Sequence, residues 1–351
     1  MLSVYGAGVD FEGLLAGWDG EHAVVRHDAE SGAWIFVCVD STVLGPAGGG
    51  TRMRVYPAPA DGLADAMRLS RAMTWKMAAA GMPRGGGKAV LAVPELPEGE
   101  PRKRLLRRYG ELVASLGGSY RTAGDMNVSP ADLDVVGETC PWVYGTTGRG
   151  GDSGRGTARG ALHAIRATVE HVFGSPELAG RSVLVQGAGA VGAILARELA
   201  EAGARVLVSD VDEQRAAATG CDTVPVERVL ETEVDVYSPC AVGGTLDAES
   251  IPRLACRAVA GCANNQLAEP EDAERLRERG ILYAPDYVVN AGGIIQLIGL
   301  EDEGWDEARL EERLAGIGDT LRTLFAEAES EGVTPAEAAD RLVRRRLAAT
   351  R

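Results

Sequence analysis

The chain has 351 residues, enough for two domains of ordinary size, and 45% of them are hydrophobic while only 5% are aromatic. A formal charge of −15 disfavours nucleic acid and anionic membrane as partners, because both would repel it. No apolar run approaches the ~18 residues of a membrane span, and the start lacks the basic and then apolar pattern of a signal peptide. Four histidines and six dispersed cysteines offer no metal-ligand spacing, so a cytoplasmic, metal-free chain with reduced thiols is expected.

Residues 24–27 and 34–39 read as short strands about the turn-prone Asp28-Ala29-Glu30-Ser31-Gly32. The run Gly48-Gly49-Gly50 excludes bulky side chains, so that a ligand or another backbone can come close. Residues 61–80 read as a helix, with Leu63, Met67, Ser70, Thr74 and Met77 at three- and four-residue spacing, Asp61 to cap its start and Gly81 to end it. Residues 88–93 are a buried strand entered through Gly85-Gly86-Gly87, and 102–116 a second helix. The glycine-rich stretch 146–156 is the expected hinge about which the two halves close. A helix over 157–172 follows, then two apolar runs, 182–186 and 205–209, on either side of a helical stretch over 193–202. Residues 306–349 are helical and heavily charged and are expected to cross back to the first domain.

The fold class is therefore α/β in two domains. A mixed α/β substrate domain takes residues 1–146 plus about 322–351, and a Rossmann dinucleotide-binding domain takes 147–321. The second assignment rests on the motif between the two apolar runs. Gly187, Gly189 and Gly192 stand at G-x-G-x-x-G spacing: the first allows a tight turn, the second lets backbone approach a pyrophosphate, and the third lets helix pack on strand. The helix N-terminus offers free N–H groups to phosphate, and Asp210 ends the second run where a carboxylate accepts from an adenine-ribose diol. Asp210 would also repel a 2′-phosphate, which points to NAD rather than NADP.

Reaction chemistry has to come from elsewhere, and two lysines stand out. Lys76 lies in the apolar run Met73-Thr74-Trp75-Lys76-Met77-Ala78-Ala79-Ala80, and Lys88 opens a buried strand. Burying an ammonium is costly, and burial or a neighbouring cation lowers a lysine's pKa toward the range useful in acid/base work. The plain alternatives stay open here: Lys76 as a cap on helix carbonyls, Lys88 snorkelling from a strand end, and Asp125 as a turn residue before Ser129-Pro130.

These segments also carry a resemblance. Gly49-Gly50-Thr51-Arg52-Met53, Met73-Thr74-Trp75-Lys76, Gly85-Gly86-Gly87-Lys88 and Thr122-Ala123-Gly124-Asp125 are similar to motifs of the amino-acid dehydrogenase family of glutamate, leucine, phenylalanine and valine dehydrogenases. So are Ser238-Pro239-Cys240-Ala241-Val242-Gly243-Gly244, Ala263-Asn264-Asn265-Gln266-Leu267 and the segment from Tyr283 to Gly293, in the same order. The resemblance is greatest to the leucine/valine/phenylalanine branch. It implies reversible NAD-dependent deamination of an L-amino acid to a 2-oxo acid and ammonia, by a homo-oligomer.

Carried over by motif, Lys76 would pair with the substrate carboxylate, Lys88 would be the catalytic lysine, and Asp125 would exchange protons with the amino group. Gly49 and Gly50 would line the substrate side, and Asn290 would hold substrate and nicotinamide in register. Thr157 and Asn264 would lie on the nicotinamide side, and Ala190, Val191, Cys240 and Ala241 complete the expected cofactor contacts. Where the family has P-A-L-G-G-T-R this chain has Gly48 for the leucine, which opens the side-chain pocket. Ala123, Leu314 and Ile317 would keep that pocket apolar, so a bulky apolar or aromatic substrate is expected. A glutamate dehydrogenase and a catalytically silent NAD-binding subunit are the alternatives; the first would need a cation to meet the side-chain carboxylate, and no extra lysine appears near Gly48.

Overall fold

The computed structural model describes residues 11–149 and 153–350. It divides into two compact units, Met1–Asp152 with Arg346–Arg351, and Ser153–Arg345. Among the described residues no helix is long and apolar enough to cross a membrane.

In the first unit a short helix, α1 (Phe11–Ala16), precedes the strands β1 (His22–Asp28), β2 (Ala33–Ser41) and β3 (Ala47–Arg54). Then come helix α2 (Pro59–Ala79), β4 (Gly85–Ala92), α3 (Gly99–Ser115), β5 (Tyr120–Gly124) and α4 (Pro130–Gly137). The sheet order is β1-β2-β4-β3-β5; β1, β2 and β4 pair antiparallel, whereas β3 runs parallel to both β4 and β5. Alternation along β2 fills two cores, because successive side chains point to opposite faces. Ile35, Val37 and Val39 join Leu105, Leu106, Tyr109 and Val113 of α3, while Phe36 and Cys38 join Leu63, Ala66 and Met67 of α2.

Helix α2 begins two residues before the sequence places it. Pro59 opens its first turn, and Asp61, in the same turn, accepts the Ala58 N–H at 3.0 Å. The tight glycine run on β3 answers to backbone: a Cβ on Gly49 would lie 1.7 Å from the Gly87 carbonyl oxygen.

The second unit starts with α5 (Gly154–Phe173), so the end of the glycine-rich 146–156 stretch is already helix; residues 150–152 lie outside the described ones. Next come β6 (Ser182–Gln186), α6 (Gly192–Glu201), β7 (Arg205–Ser209), α7 (Glu213–Ala217) and β8 (Asp222–Thr223). After these follow β9 (Val234–Pro239), β10 (Cys256–Val259), α8 (Asp272–Glu278), β11 (Leu282–Tyr283), α9 (Asp286–Val289), α10 (Gly292–Glu301), α11 (Glu307–Glu331) and α12 (Pro335–Ala348). The sheet is wholly parallel, in the order β11-β10-β9-β6-β7-β8, a Rossmann arrangement whose strand order reverses between β6 and β9.

The C-terminal helices differ from the expected return at about residue 322. Leu314, Ile317, Leu321, Leu324, Phe325 and Ala328 form a buried stripe at helical spacing along α11, and α11 packs on α5. That stripe keeps the chain in the second unit through Arg345; only from Arg346 does it belong with the first, where the Arg346 guanidinium donates to the Ala78 and Ala79 carbonyls at 2.7 and 2.8 Å.

Candidate active site

Three parallel strands in the order β4-β3-β5 bring the substrate-side residues onto one face of the first sheet. Lys88 shares parity with Val90 and Ala92 on β4, and those two pack with Leu63 of α2, so Lys88 faces α2. Its side chain is 7% exposed, and its ammonium lies 2.8 Å from Oδ2 of Asp125, which follows β5. Arg52, on β3, donates from Nε to the same Oδ2 at 3.0 Å and from its terminal nitrogen to Asp65 of α2 at 2.9 Å. Asp65 in turn accepts from the Tyr56 hydroxyl at 2.7 Å and pairs with Arg68 at 2.8 Å.

Charge follows from this geometry. Burial alone would raise the Asp125 carboxyl, but Lys88 and Arg52 outweigh it and hold Asp125 down at about 2. Burial lowers the Lys88 ammonium below its usual range, Asp125 opposes that, and Arg52 adds to the lowering. Arg52 is a neighbouring cation that acts on Lys88.

Lys76 sits in the last turn of α2, half-buried. Gly50 lies opposite Ala123 in the register of β3 and β5, and a Cβ on Gly50 would come within 3.0 Å of the Asp125 Cβ. Gly48 is buried, and the space its missing side chain leaves is partly taken: the Met77 terminal methyl is 3.2 Å from where a Cβ would stand. Ala123 is buried on the neighbouring strand.

In the second unit the glycine motif sits at the carboxyl end of β6, at the reversal of strand order. Gly187 takes a positive φ of 100° and its N–H donates to the Ser209 carbonyl at 2.7 Å. A Cβ on Gly192 would strike the Gly187 carbonyl oxygen at 1.8 Å, whereas one on Gly189 would meet nothing within 4 Å. Among the described residues nothing crowds position 189, which leaves its backbone open to a ligand. Asp210 accepts the Ala188 N–H on Oδ2 at 2.7 Å and the Asp212 N–H on Oδ1 at 2.9 Å, and each oxygen keeps a lone pair for a ribose hydroxyl. Ala190 is exposed and Val191 half-buried beside it, and Ala241, after β9, lies against Gly187. Cys240 donates its N–H to the Gln186 carbonyl at 2.7 Å, and a hydrogen bond from the Cys262 thiol holds the Cys240 thiol below its usual range.

The remaining predicted contacts spread over the same unit. Asn290 is buried; its amide nitrogen donates to the Asn264 side chain at 2.9 Å and to the Cys262 carbonyl at 3.3 Å, and its side-chain oxygen is buried without a partner among the described residues. That orphaned acceptor is costly unless a ligand satisfies it. The Thr157 hydroxyl donates to the Ser153 carbonyl at 2.9 Å inside α5. Leu314 and Ile317 are buried on α11, which packs on α5, and the Ile317 methyl lies 2.6 Å from where a Gly160 Cβ would be.

Comparison with known proteins follows the same division. The model of the Glu/Leu/Phe/Val dehydrogenase dimerisation domain matches residues 27–145, and the Glutamate/Leucine/Phenylalanine/Valine dehydrogenase model matches 207–350. A valine dehydrogenase of Streptomyces virginiae is 43% identical over 341 residues, 94% of each chain. A leucine dehydrogenase of Thermoactinomyces intermedius is 37% identical over 94% of this chain and 91% of its own. The crystal structure of L-tryptophan dehydrogenase from Nostoc punctiforme superposes with a TM-score of 0.81 at 36% identity, covering 95% of this chain and 97% of that one.

The chain belongs to the Glu/Leu/Phe/Val dehydrogenase family. As a member it is an NAD-dependent amino-acid dehydrogenase, acting by oxidative deamination of an apolar or aromatic L-amino acid to its 2-oxo acid and ammonia. NAD fits the residues present: open backbone at Gly189, a helix N-terminus at Gly192, and an ionised Asp210 at the end of β7.

Sequence reasoning missed Arg52 and Asp65 as partners in the Lys88–Asp125 cluster and Met77 as the neighbour of Gly48. A signal for the first two was there. Arg52 has the parity of Gly48 and Gly50 on its strand, and Asp65 precedes Lys76 by about three helical turns, on the same side of α2.

Proposed function

We propose that Lys88 and Asp125 form the catalytic pair of this dehydrogenase and that Lys76 binds the substrate carboxylate. The 2.8 Å contact between the buried Lys88 ammonium and Asp125 carries the reading. A compact cation such as Lys76 suits a carboxylate, and an ionised Asp125 suits the substrate's ammonium. NAD supplies the hydride acceptor for the substrate Cα. Asp125 takes a proton from the substrate's ammonium before the hydride leaves; deamination then needs water at the imino carbon, where Lys88 polarises that centre and moves the water's proton, and Asp125 returns its proton to the departing ammonia. Asn290, with its unpartnered side-chain oxygen, is proposed to hold the nicotinamide side in register, next to Asn264.

The preferred substrate in this reading has a bulky apolar side chain, with aromatic acids competing against the larger aliphatic ones. Gly48 and Ala123 support it as small residues on one face, with Met77 as the adjustable wall, because a thioether with three rotatable bonds can re-seat around different side chains. Names among the relatives, valine, leucine and tryptophan dehydrogenases, span that same range. The enzyme is further proposed to be a cytoplasmic homo-oligomer, which the six free thiols and the matched dimerisation domain support. A panel of L-amino acids with NAD, followed by NADH absorbance, tests the assignment: turnover confined to glutamate, or absent throughout, overturns it.

A further inference from the structure

We propose that the Arg52–Asp65 ion pair is a positioning device for the catalytic carboxylate: Arg52 and Lys88 both grip Oδ2 of Asp125, Asp65 anchors Arg52, and Oδ1 is thereby the oxygen presented to the substrate's amino group. The proposal rests on the assignment of Lys88 and Asp125 as the catalytic pair. Its basis is geometric. Asp125 lies at the end of an edge strand and is 28% exposed on its side chain, so nothing in the backbone alone fixes its rotamer. The closest contacts of both cations fall on one oxygen, at 2.8 and 3.0 Å. Arg52 bridges two carboxylates, one on Oδ2 of Asp125 and one on Oδ2 of Asp65, which a planar guanidinium can do and an ammonium cannot reproduce with the same angles. Asp65 is itself held by the Tyr56 hydroxyl and by Arg68, and it is 13% exposed, so the anchor is part of the packed face of α2.

The polar groups linked in this cluster come from each surrounding element: Arg52 from β3, Asp65 and Arg68 from α2, Tyr56 from the segment before α2, and Lys88 and Asp125 from β4 and the end of β5. Their effects on Lys88 have opposite signs. Arg52 lowers the lysine and also lowers Asp125, whereas Asp65 supports the ammonium.

The test is the pH profile of kcat/KM for four variants beside wild type. Arg52→Gln should move both limbs to higher pH and lower kcat by ~10²-fold, the cost of a misplaced reacting group. Asp65→Asn should move the lysine limb the other way, to lower pH. Arg52→Lys should restore the position of the profile, because the charge is kept, without restoring kcat, because the fork is not. Tyr56→Phe changes no charge, so it should leave the profile in place and reduce kcat. Should Arg52→Gln fail to fold, by circular dichroism, Arg52→Lys and Asp65→Asn still carry the comparison. Unshifted profiles with only a lower melting temperature overturn the proposal, as does Arg52→Lys with full kcat. Turnover retained in Lys88→Ala would instead overturn the catalytic assignment on which it rests.

Discussion

The Asp210 carboxylate receives the N–H of Ala188 at 2.7 Å, so the acid expected to hold a ribose also ties down the phosphate-binding loop. Burial would raise Asp210, but the Asp212 and Ala188 amides and Arg215 outweigh it and keep it ionised. Asp210→Ala should therefore raise the KM for NADH by ~10–100-fold, the loss of a charged hydrogen bond, and abolish discrimination against NADPH. Asp210→Asn keeps an acceptor for Ala188 and should relax discrimination with a smaller rise in KM. Steady-state kinetics with both coenzymes read this; a wild-type preference for NADPH would refute it.

Lys88→Ala should lower kcat by ~10²–10⁴-fold, the usual loss of an acid/base group, and leave NADH binding by fluorescence unchanged. Lys76→Ala should mainly raise the KM for the amino acid. Equal and mild losses in both variants would make the two lysines structural.

In the proposed pocket Met77 limits the space at Gly48, since its methyl stands 3.2 Å from the missing Cβ. Met77→Ala should raise the kcat/KM of phenylalanine or tryptophan relative to valine by about tenfold, in keeping with ~1–3 kcal/mol per methylene in an apolar pocket. Gly48→Leu should shift the ratio back toward valine and leucine, and must displace Met77 to do so. An unchanged ratio in both variants removes Gly48 and Met77 from the pocket.

Acid should unfold the first unit through its paired carboxylates. Burial works against ionisation of Asp28, Asp65 and Asp132, yet the arginines and hydroxyls around each prevail and lower all three. Asp28 is gripped by both arms of Arg108, at 2.7 and 2.8 Å. A carboxylate whose folded pKa is depressed stabilises fully above the unfolded value, ~4, and loses that contribution as pH falls through the folded value. With Asp125 at about 2, the loss should fall between about pH 4 and 2. Asp40 runs the other way, because burial raises it and its ionisation opposes folding. Urea midpoints should hold from pH 7 to 5 and drop below 4, and Asp28→Asn should be less stable at pH 7 with a shallower acid drop. A midpoint flat to pH 2 would contradict this.

The sequence by itself determined the elements and the chemistry each could carry. Alternation marked β2, three- and four-residue spacing marked α2, and the glycine spacing after β6 with Asp210 after β7 marked a dinucleotide site, because these signals are local and repeat with the geometry of helix or strand. Lys88 and Asp125 were legible as residue types, and their motifs carried the family resemblance. Only the tertiary structure decided which side chains meet. Asp125 is 73 residues from Arg52, Met77 is 29 from Gly48, and Phe325 is buried on the helix α11 that packs on α5 rather than in the first unit. Such encounters depend on strand register and on which face of a helix finds apolar surface to cover, and neither is written in local periodicity. The wall at Gly48 shows the consequence: a missing side chain reads as open space along the chain, whereas close packing lets Met77 occupy part of it.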